Sequence, residues 1–274
     1  GAGVQMLLEI LCVLLKGRRT VSFPDGSFVQ GSTVFAAHGY TVRTRYKDAD
    51  IIYVSPSHMN RQGDVMPIQR RLELCAHSAE TGAVVIEADF ENDFLFSSTP
   101  TPSLYALGSG NVVYMGAFSA LLLPGIRISF MVLSPALAAA YHQMKDTFAQ
   151  TASKTEQIAL CAYLRDGNMK SRTKKIRRLY TGKAKTLCAL LAKALPDHPV
   201  RVGENGLQVQ IETPILPDSA PFEQAGLALY IVKEKSGKNI VVVSPSAVPA
   251  DRLEEAAHAV AAALYKAEEA AKAK

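Results

Sequence analysis

The stretch Val113–Phe130 holds residues whose types and spacing suit it to binding a charged small molecule. It reads VYMGAFSALLLPGIRISF, in which an apolar strand pattern runs into Gly116 and is followed by Ser119 and Arg127. A hydroxyl in a turn and a guanidinium fork are groups that bind phosphate well. Ala120 follows the serine and offers no amine for a covalent bond. The stretch therefore favours anion binding and lacks a group for covalent capture.

Short apolar strands alternate with helices around this stretch. Several strands are hydrophobic throughout, which indicates a sheet covered on both faces. The opening GAGVQMLLEILCVLLKG has a helical pattern ended by Gly17 and has no lead-in, so we expect the N-terminal part of this domain to lie upstream. The other predicted elements here are strands at 20–23, 40–46, 51–54, 83–87, 112–115 and 126–133, and a helix at 67–80.

The pattern changes after Pro135. Helical periodicity covers 136–166 and 168–195, and short strands at 200–202, 207–212, 229–233 and 240–243 precede a final helix from Ala250. Segregated strands and helices are typical of a small α+β domain. We predict a large domain over 1–140, an interdomain helical region over 141–170 and a small C-terminal domain over 171–274.

Composition is that of an ordinary globular protein, with 48% hydrophobic and 20% charged residues among 274. No apolar run approaches the roughly 18 residues of a membrane span, and no secretory leader is visible. The four cysteines lack CxxC spacing and the histidines lack metal-ligand spacing, so we expect buried reduced thiols, no metal and a cytoplasmic location. The cysteines are Cys12, Cys75, Cys161 and Cys188.

The formal charge of +5 comes largely from one stretch. Apolar residues recur through it at helical spacing, so it is interpreted as an amphipathic helix with a basic, solvated face rather than a surface that contacts DNA. Its basic residues are Arg165, Lys170, Arg172, Lys174, Lys175, Arg177, Arg178, Lys183 and Lys185.

Four segments in order resemble the aminotransferase-like domain of MocR-type regulators, a branch of the GntR family. They are GAGVQ at 1–5, YVSPSHMNRQGDVMP at 53–67, VVIEADFENDF at 84–94 and YMGAFSALLLPGIR at 114–127. These regulators join a winged helix-turn-helix domain to a fold-type-I pyridoxal-phosphate domain. The resemblance implies an α/β large domain with a mixed, mostly parallel sheet and a small C-terminal α+β domain.

The resemblance also implies roles for four retained residues. Ser119 and Arg127 match the phosphate-binding serine and arginine, Phe28 matches an aromatic that stacks on the cofactor ring, and His58 matches a histidine near the cofactor oxygen. Each residue also has a purely structural interpretation. Ser119 then caps a turn, Arg127 forms an ion pair, Phe28 belongs to the core and His58 is a hydrogen-bonded interior histidine.

The departures from the family pattern concern its chemistry. By resemblance, Ala120 stands where the Schiff-base lysine would be, and Ala88 stands where an aspartate would pair with the pyridine nitrogen. Phe90 replaces the tyrosine beside the ring hydroxyl, Val4 replaces a threonine, and Ser246 replaces the arginine that receives a substrate carboxylate. Asp89 and Glu91 flank Ala88, but alternation along a strand points at least one of them away.

The resemblance therefore predicts a non-catalytic, effector-sensing and dimerising domain with a degenerate pyridoxal-phosphate (PLP) site. We expect no covalently bound cofactor, although PLP or another small anion can still bind non-covalently. The expected partners are a second copy, a small-molecule effector and no membrane; DNA is expected only through an N-terminal domain absent from this chain. An inactivated or unorthodox PLP-dependent aminotransferase is the alternative, and a purely structural dimerisation module is a third possibility.

Overall fold

The computed structural model describes residues 1–26, 28–60, 62–89, 102–108, 110–119, 121–149, 151–234 and 236–272. These residues form two compact units. The first is drawn from residues 1–173, and the second from residues 174–272 together with 62–64. The predicted bounds of the interdomain region, 141–170, stay a prediction.

The first unit contains a six-stranded sheet in the order β2-β1-β3-β4-β5-β6. Neighbouring strands are parallel except for β6, which runs antiparallel to β5. This mixed, mostly parallel sheet confirms the predicted fold class. Its strands are β1 (Thr20–Phe23), β2 (Thr41–Thr44), β3 (Ile51–Val54), β4 (Val84–Ala88), β5 (Val112–Ala117) and β6 (Ser129–Val132).

Helices cover this sheet, and α1 contributes most to its core. Leu7, Leu8 and Leu11 recur on one side of α1 and are almost fully buried against Val21, Ile86 and other strand residues. Burial of each such leucine contributes roughly 1.5–3 kcal/mol. The helices of this part of the chain are α1 (Val4–Leu14), α2 (Val29–Ala37), α3 (Ile68–Thr81), α4 (Leu104–Leu107), α5 (Pro135–Met144) and α6 (Lys154–Arg165).

The second unit is built on an antiparallel sheet in the order β7-β8-β10-β9. Leu187 and Leu191 of one helix and Leu264 of another pack with Ile211 and Val241 of the sheet, which confirms the predicted small α+β domain. The elements are α7 (Asn168–Ala194), β7 (Val200–Val202), β8 (Val209–Thr213), α8 (Ala220–Gln224), β9 (Tyr230–Lys233), β10 (Asn239–Val243) and α9 (Leu253–Lys272).

The structure corrects the sequence predictions of one long helix and of one buried cysteine. The helical pattern over 136–166 is interrupted, because α5 ends at Met144 and α6 starts afresh after Ser153, whose Oγ accepts a bond from the Glu156 N–H. The expectation of buried thiols is wrong for Cys161, which is exposed because α6 turns only Leu160 fully inward. All four cysteines are free thiols.

Among the described residues, no helix is long and apolar enough to cross a bilayer. The same residues contain no cluster of three or more histidine, cysteine or acidic side chains able to hold a metal ion.

Candidate functional site

Four of the predicted site residues lie at one edge of the first unit's sheet. Phe28 follows β1, His58 follows β3, Ala88 ends β4 and Ser119 follows β5. These four strands are mutually parallel, so their carboxyl ends share an edge of the sheet. Open α/β sheets bind ligands at this edge. Each of these residues was singled out from a different segment of the sequence, and the topology brings them to the same side.

Arg127 meets the start of α1 at this edge. Ala2 pairs with Ile128 in an isolated antiparallel bridge, and Gly1 and Ser129 exchange two backbone hydrogen bonds of 3.0 Å. Gly3, with a φ of 89°, sits directly before the helix. A Cβ placed on Gly3 would lie 2.1 Å from Arg127 Nη2 and 2.9 Å from its Cζ. The guanidinium therefore rests on the glycine α-carbon, a position that any side chain at residue 3 would fill.

The geometry around Arg127 suits an anion. The first turn of α1 has unbonded N–H groups, no acidic residue and no side-chain cap, so its positive end is available. Arg127 itself is exposed and has a left-handed φ of 45°. Its guanidinium forms no ion pair or hydrogen bond with any residue that the structure describes. An exposed cation at a helix N-terminus is a suitable place for a phosphate or carboxylate.

Ser119 lies just beyond the end of the β5–β6 ladder. Ala117 pairs with Ser129, and the Phe118 N–H donates to the Ile128 carbonyl at 3.0 Å. Ser119 and Arg127 are the residues that follow and precede this last bonded pair in the sequence. Ser119 is half-buried in a turn. Gly3, Ser119 and Arg127 together are called the anion end of the site.

Phe28 lies among aromatic side chains rather than over an open space. Its ring stacks on Tyr53 with centroids 5.1 Å apart and an interplanar angle of 25°. Phe23 lies 5.0 Å from the same Tyr53 ring. Gly31 allows this packing, because a Cβ there would be 2.2 Å from Phe28 Cε1. The ring of Phe28 is thus held by α2 on one side and by the core aromatics on the other.

Ala88 belongs to the core cluster against which Phe28 packs. Its side chain is fully buried with those of Phe23, Tyr53 and Met115. Burial also raises the pKa of the Tyr53 hydroxyl, so Tyr53 stays neutral at physiological pH. Phe28, Tyr53 and Ala88 are called the ring end of the site. Its side chains supply apolar contacts and no carboxylate for a pyridine nitrogen.

Asp89 points away from the ring end. Its Oδ2 accepts a hydrogen bond of 3.1 Å from the Tyr114 hydroxyl, and its N–H donates to the Met115 carbonyl. Successive residues of a strand face opposite sides, so Asp89 lies on the side of the sheet away from Ala88. Its carboxylate is engaged there. The described residues therefore fit the phosphate of a PLP group at the anion end, but they do not fit its pyridine nitrogen at the ring end.

Glu87 is a buried charged residue that the sequence reasoning passed over. It is fully buried, and its two carboxylate oxygens accept bonds of 2.9 and 3.0 Å from the N–H groups of Leu104 and Tyr105. Burial raises the pKa of Glu87 and outweighs these two donors and the nearby positive charge of Arg71. A glutamate inside the apolar run VVIEA was the sequence signal that could have identified it.

Arg71 lies near Glu87 and Asp89, on the side of β4 opposite Ala88, which is called the back side of β4. Its Nε donates to the Met66 carbonyl and its Nη1 to the Pro102 carbonyl, each at 3.1 Å. Burial lowers the pKa of Arg71, while Glu87 and Asp89 partly restore it. Arg71 thus links the segment that precedes β4 in the sequence to the segment that follows it.

The remaining predicted residues have diverse surroundings. His58 is half-buried, its N–H donates to the Ser55 carbonyl at 3.1 Å, and the residue has a further interaction. Ser246 belongs to the second unit, where it is exposed and its Oγ lies 3.1 Å from Ser244 Oγ. Ala120 and Phe90 lie outside the described residues. The cofactor-related roles assigned to all these positions stay predictions.

Sequence comparison relates the chain to transcriptional regulators. No protein-family model matches it. YdeL of Bacillus subtilis, an uncharacterized HTH-type transcriptional regulator, is 29% identical over 260 residues, which cover 89% of this chain and 54% of YdeL. YhdI, described in the same way and from the same organism, is 33% identical over 224 residues, 76% of this chain and 48% of YhdI. The probable rhizopine catabolism regulatory protein MocR of Rhizobium meliloti is 30% identical over 162 residues, 59% of this chain and 33% of MocR. This chain spans about half the length of the first two.

Structure comparison gives the fold. LysN, an α-aminoadipate aminotransferase from Thermus thermophilus solved with N-(5'-phosphopyridoxyl)-L-leucine, superposes with a TM-score of 0.78 at 23% identity. The match covers 98% of this chain and 77% of LysN. Both units therefore have counterparts in a fold-type-I aminotransferase.

Proposed function

Because this chain is a homologue of MocR-type regulators of the GntR family and has their aminotransferase-like fold, we propose that it is the effector-sensing and dimerising domain of such a regulator, without aminotransferase activity. The observation that carries this proposal is the contrast between the two ends of the site. The anion end has a guanidinium at a helix N-terminus that pairs with no described residue, whereas Ala88 at the ring end is buried in an apolar cluster.

The anion end supports a ligand with a phosphate or carboxylate group. Arg127 offers a planar fork of N–H donors, and the first turn of α1 adds backbone N–H groups at its positive end. Non-covalent PLP and other small anionic metabolites share this chemistry. In this proposal the group binds as an effector, and its occupancy stabilises one state of the regulator.

The ring end and the sequence at residue 120 support the absence of transamination. PLP supplies an electron sink when its pyridine nitrogen is held protonated and its aldehyde is captured by an amine. Here Ala88 offers a methyl group to the cluster, Asp89 is engaged by Tyr114 on the other side, and residue 120 is alanine. Positions 88 and 120 thus lack the carboxylate and the amine that this chemistry requires, and the neighbouring carboxylate of Asp89 is engaged elsewhere.

The proposal for the whole protein goes further. The HTH-type relatives are about twice as long as the matched region, so we place DNA recognition in a domain outside this chain. A homodimer and a cytoplasmic location complete the proposal. Equilibrium sedimentation of this chain tests the dimer, and a single species at the monomer mass would contradict it.

Calorimetric titration tests the anion end. Inorganic phosphate and PLP are titrated into the wild type, Arg127→Ala and Arg45→Ala. Arg45 is a matched control because it is also an arginine with a left-handed φ, 52°, in the first unit. We expect binding in the wild type and Arg45→Ala, and at least a tenfold loss in Arg127→Ala. Equal heats from all three would refute an anion site at Arg127.

The aminotransferase fold itself favours a second candidate, a PLP-dependent aminotransferase in inactivated or unorthodox form. Borohydride treatment of the protein with PLP, followed by intact mass measurement, separates the two candidates. The regulator proposal expects no reducible adduct in the wild type. It also expects no turnover from Ala120→Lys alone, because position 88 still lacks a carboxylate. Turnover by that variant would favour the enzyme.

A further inference from the structure

The helix α7 carries an unusual distribution of charge. Its 27 residues include no aspartate or glutamate. In the second unit it packs through Ala184, Leu187 and Leu191, so the rest of its surface forms two flanks and an outward side.

The outward side of α7 between residues 174 and 193 is half cationic. Ten positions in this range are exposed, and five of them are lysine or arginine. The other five are leucine, glycine, threonine and two alanines, so nothing negative interrupts the row. At 1.5 Å per residue this row extends over about 28 Å. The five residues, called the basic row, are Lys174, Lys175, Arg178, Lys185 and Lys193.

Helical geometry places the row on one side. Lys174, Arg178 and Lys185 are separated by four and seven residues, spacings that return to the same side of a helix. The basic residues on the flanks are turned elsewhere. Lys183, for example, is half-buried, and its Nζ donates to the Ser246 carbonyl at 3.2 Å. The basic row is thus directed outward as a set.

Small residues lie between the cations. A Cβ placed on Gly182 would meet no atom within 4 Å, and the two exposed alanines add little bulk. The surface of a partner can therefore approach the helix closely. Several lysine and arginine side chains of the basic row can then contact it at the same time. A solvated face that serves only solubility needs no such alignment and usually mixes both signs of charge.

We propose that the basic row of α7 is a contact surface for the phosphate backbone of duplex DNA. The proposal rests on the proposed regulator function, which brings DNA to the same molecule. A duplex carries one negative charge per about 1.7 Å of its axis, so a cationic row of this length faces many phosphates. Contacts of this kind position a protein on DNA without reading its sequence. The basic row would therefore add affinity next to the sequence-specific domain.

Fluorescence anisotropy of this chain with a labelled duplex of arbitrary sequence tests the proposal. We expect weak binding at physiological salt, with a dissociation constant on the order of 10⁻⁶–10⁻⁴ M, and tighter binding as the salt concentration is lowered. The variant Lys174→Gln/Arg178→Gln/Lys185→Gln should bind at least tenfold more weakly. Its slope of log affinity against log salt should also fall by roughly 2–3, since each lost phosphate contact removes about 0.9.

The control variant removes the same charge elsewhere in the second unit, as Lys233→Gln/Lys266→Gln/Lys272→Gln, and should bind like the wild type. An equal loss in both variants, or no duplex binding by the wild type, overturns the proposal. Anionic phospholipid vesicles or single-stranded RNA bound more tightly than the duplex through the same three residues also overturn it, because the partner is then a different one.

Anion titration of the same triple variant separates this proposal from the proposed function. If phosphate or PLP binds through Arg127 but the duplex does not bind, the DNA-contact proposal is refuted and the effector-domain proposal is retained. If the duplex binds through the basic row but no anion binds through Arg127, the effector-site proposal is refuted and the DNA-contact proposal is retained.

Discussion

The two ends of the candidate site lie on the same sheet but differ in polarity. The anion end carries a cation, and the ring end is apolar. At the anion end, Gly3 and Arg127 adopt left-handed backbone conformations and together place a guanidinium at the start of α1. At the ring end, Phe28, Tyr53 and Ala88 pack as ordinary core. Strained backbone is costly and persists where surrounding structure or function supports it, whereas core packing stabilises the fold directly. In the proposed function, the anion end keeps groups able to bind an anion, and apolar side chains pack where the ring chemistry would take place.

Ala88→Asp is the strongest test of the ring end. An unpaired carboxylate in this fully buried cluster should lower the free energy of unfolding by about 3 kcal/mol. Urea unfolding with and without PLP measures it, and Ala88→Asn separates charge from size. If PLP restores the stability of the aspartate variant, the ring end still accepts a pyridine ring, and the contrast between the two ends fails.

Gly3→Ala tests the anion end with a smaller expected loss, about 1–2 kcal/mol, because alanine is strained at a φ of 89°. Its methyl group would also overlap the Arg127 guanidinium. Gly39→Ala is the control, since Gly39 has a φ of 82° and open space around its α-carbon. Both variants should lose stability in thermal unfolding, and only Gly3→Ala should lose phosphate binding. Intact binding in Gly3→Ala would show that the guanidinium acts from another position.

The positions of the strands could be predicted from the sequence more easily than the side-chain contacts at the strand ends. The bounds of β1, β3 and β7 follow from short apolar runs between turn residues. The helix α2 was missed because VQGSTVFAA has a glycine, two β-branched valines and little apolar periodicity. The break between α5 and α6 was missed because periodicity continues on both sides of it.

For the candidate site, too, the sequence predicts residue types but not the contacts between them. The residue types at Ser119, Arg127 and Ala88 were available from the sequence, because the family resemblance fixes their order. The stacking of Phe28 on Tyr53 and the bonds from Leu104 and Tyr105 to Glu87 were not. These contacts join residues 17 to 25 positions apart, and they depend on how parallel strands and their following turns are placed in space.

Replacement of Arg127 in two ways sharpens the view of the anion end as a strained site. Arg127→Gly removes the guanidinium and relieves the left-handed backbone, whereas Arg127→Ala removes the guanidinium and keeps the strain. The glycine variant should be more stable than the alanine variant by about 1 kcal/mol in urea unfolding. Both should lose anion binding equally. Equal stability would mean that residue 127 relaxes to an ordinary conformation when the side chain is removed.

The substitution Glu87→Gln tests the back side of β4, the strand that ends in Ala88. It should have the smallest effect on the free energy of unfolding. Burial raises the folded-state pKa of Glu87 above its ordinary value of 4.5, so the folded protein binds more protons than the unfolded chain in the window above that value. The stability that wild-type Glu87 contributes relative to glutamine is then fully present below pH about 4.5 and declines as pH rises through the folded pKa. Urea unfolding across this range should show the wild type losing stability relative to Glu87→Gln as pH increases. The opposite slope would mean that the Leu104 and Tyr105 N–H groups and Arg71 outweigh burial. The back side of β4 would then be a stabilising ionic cluster rather than a buried charge tolerated beside an apolar ring end.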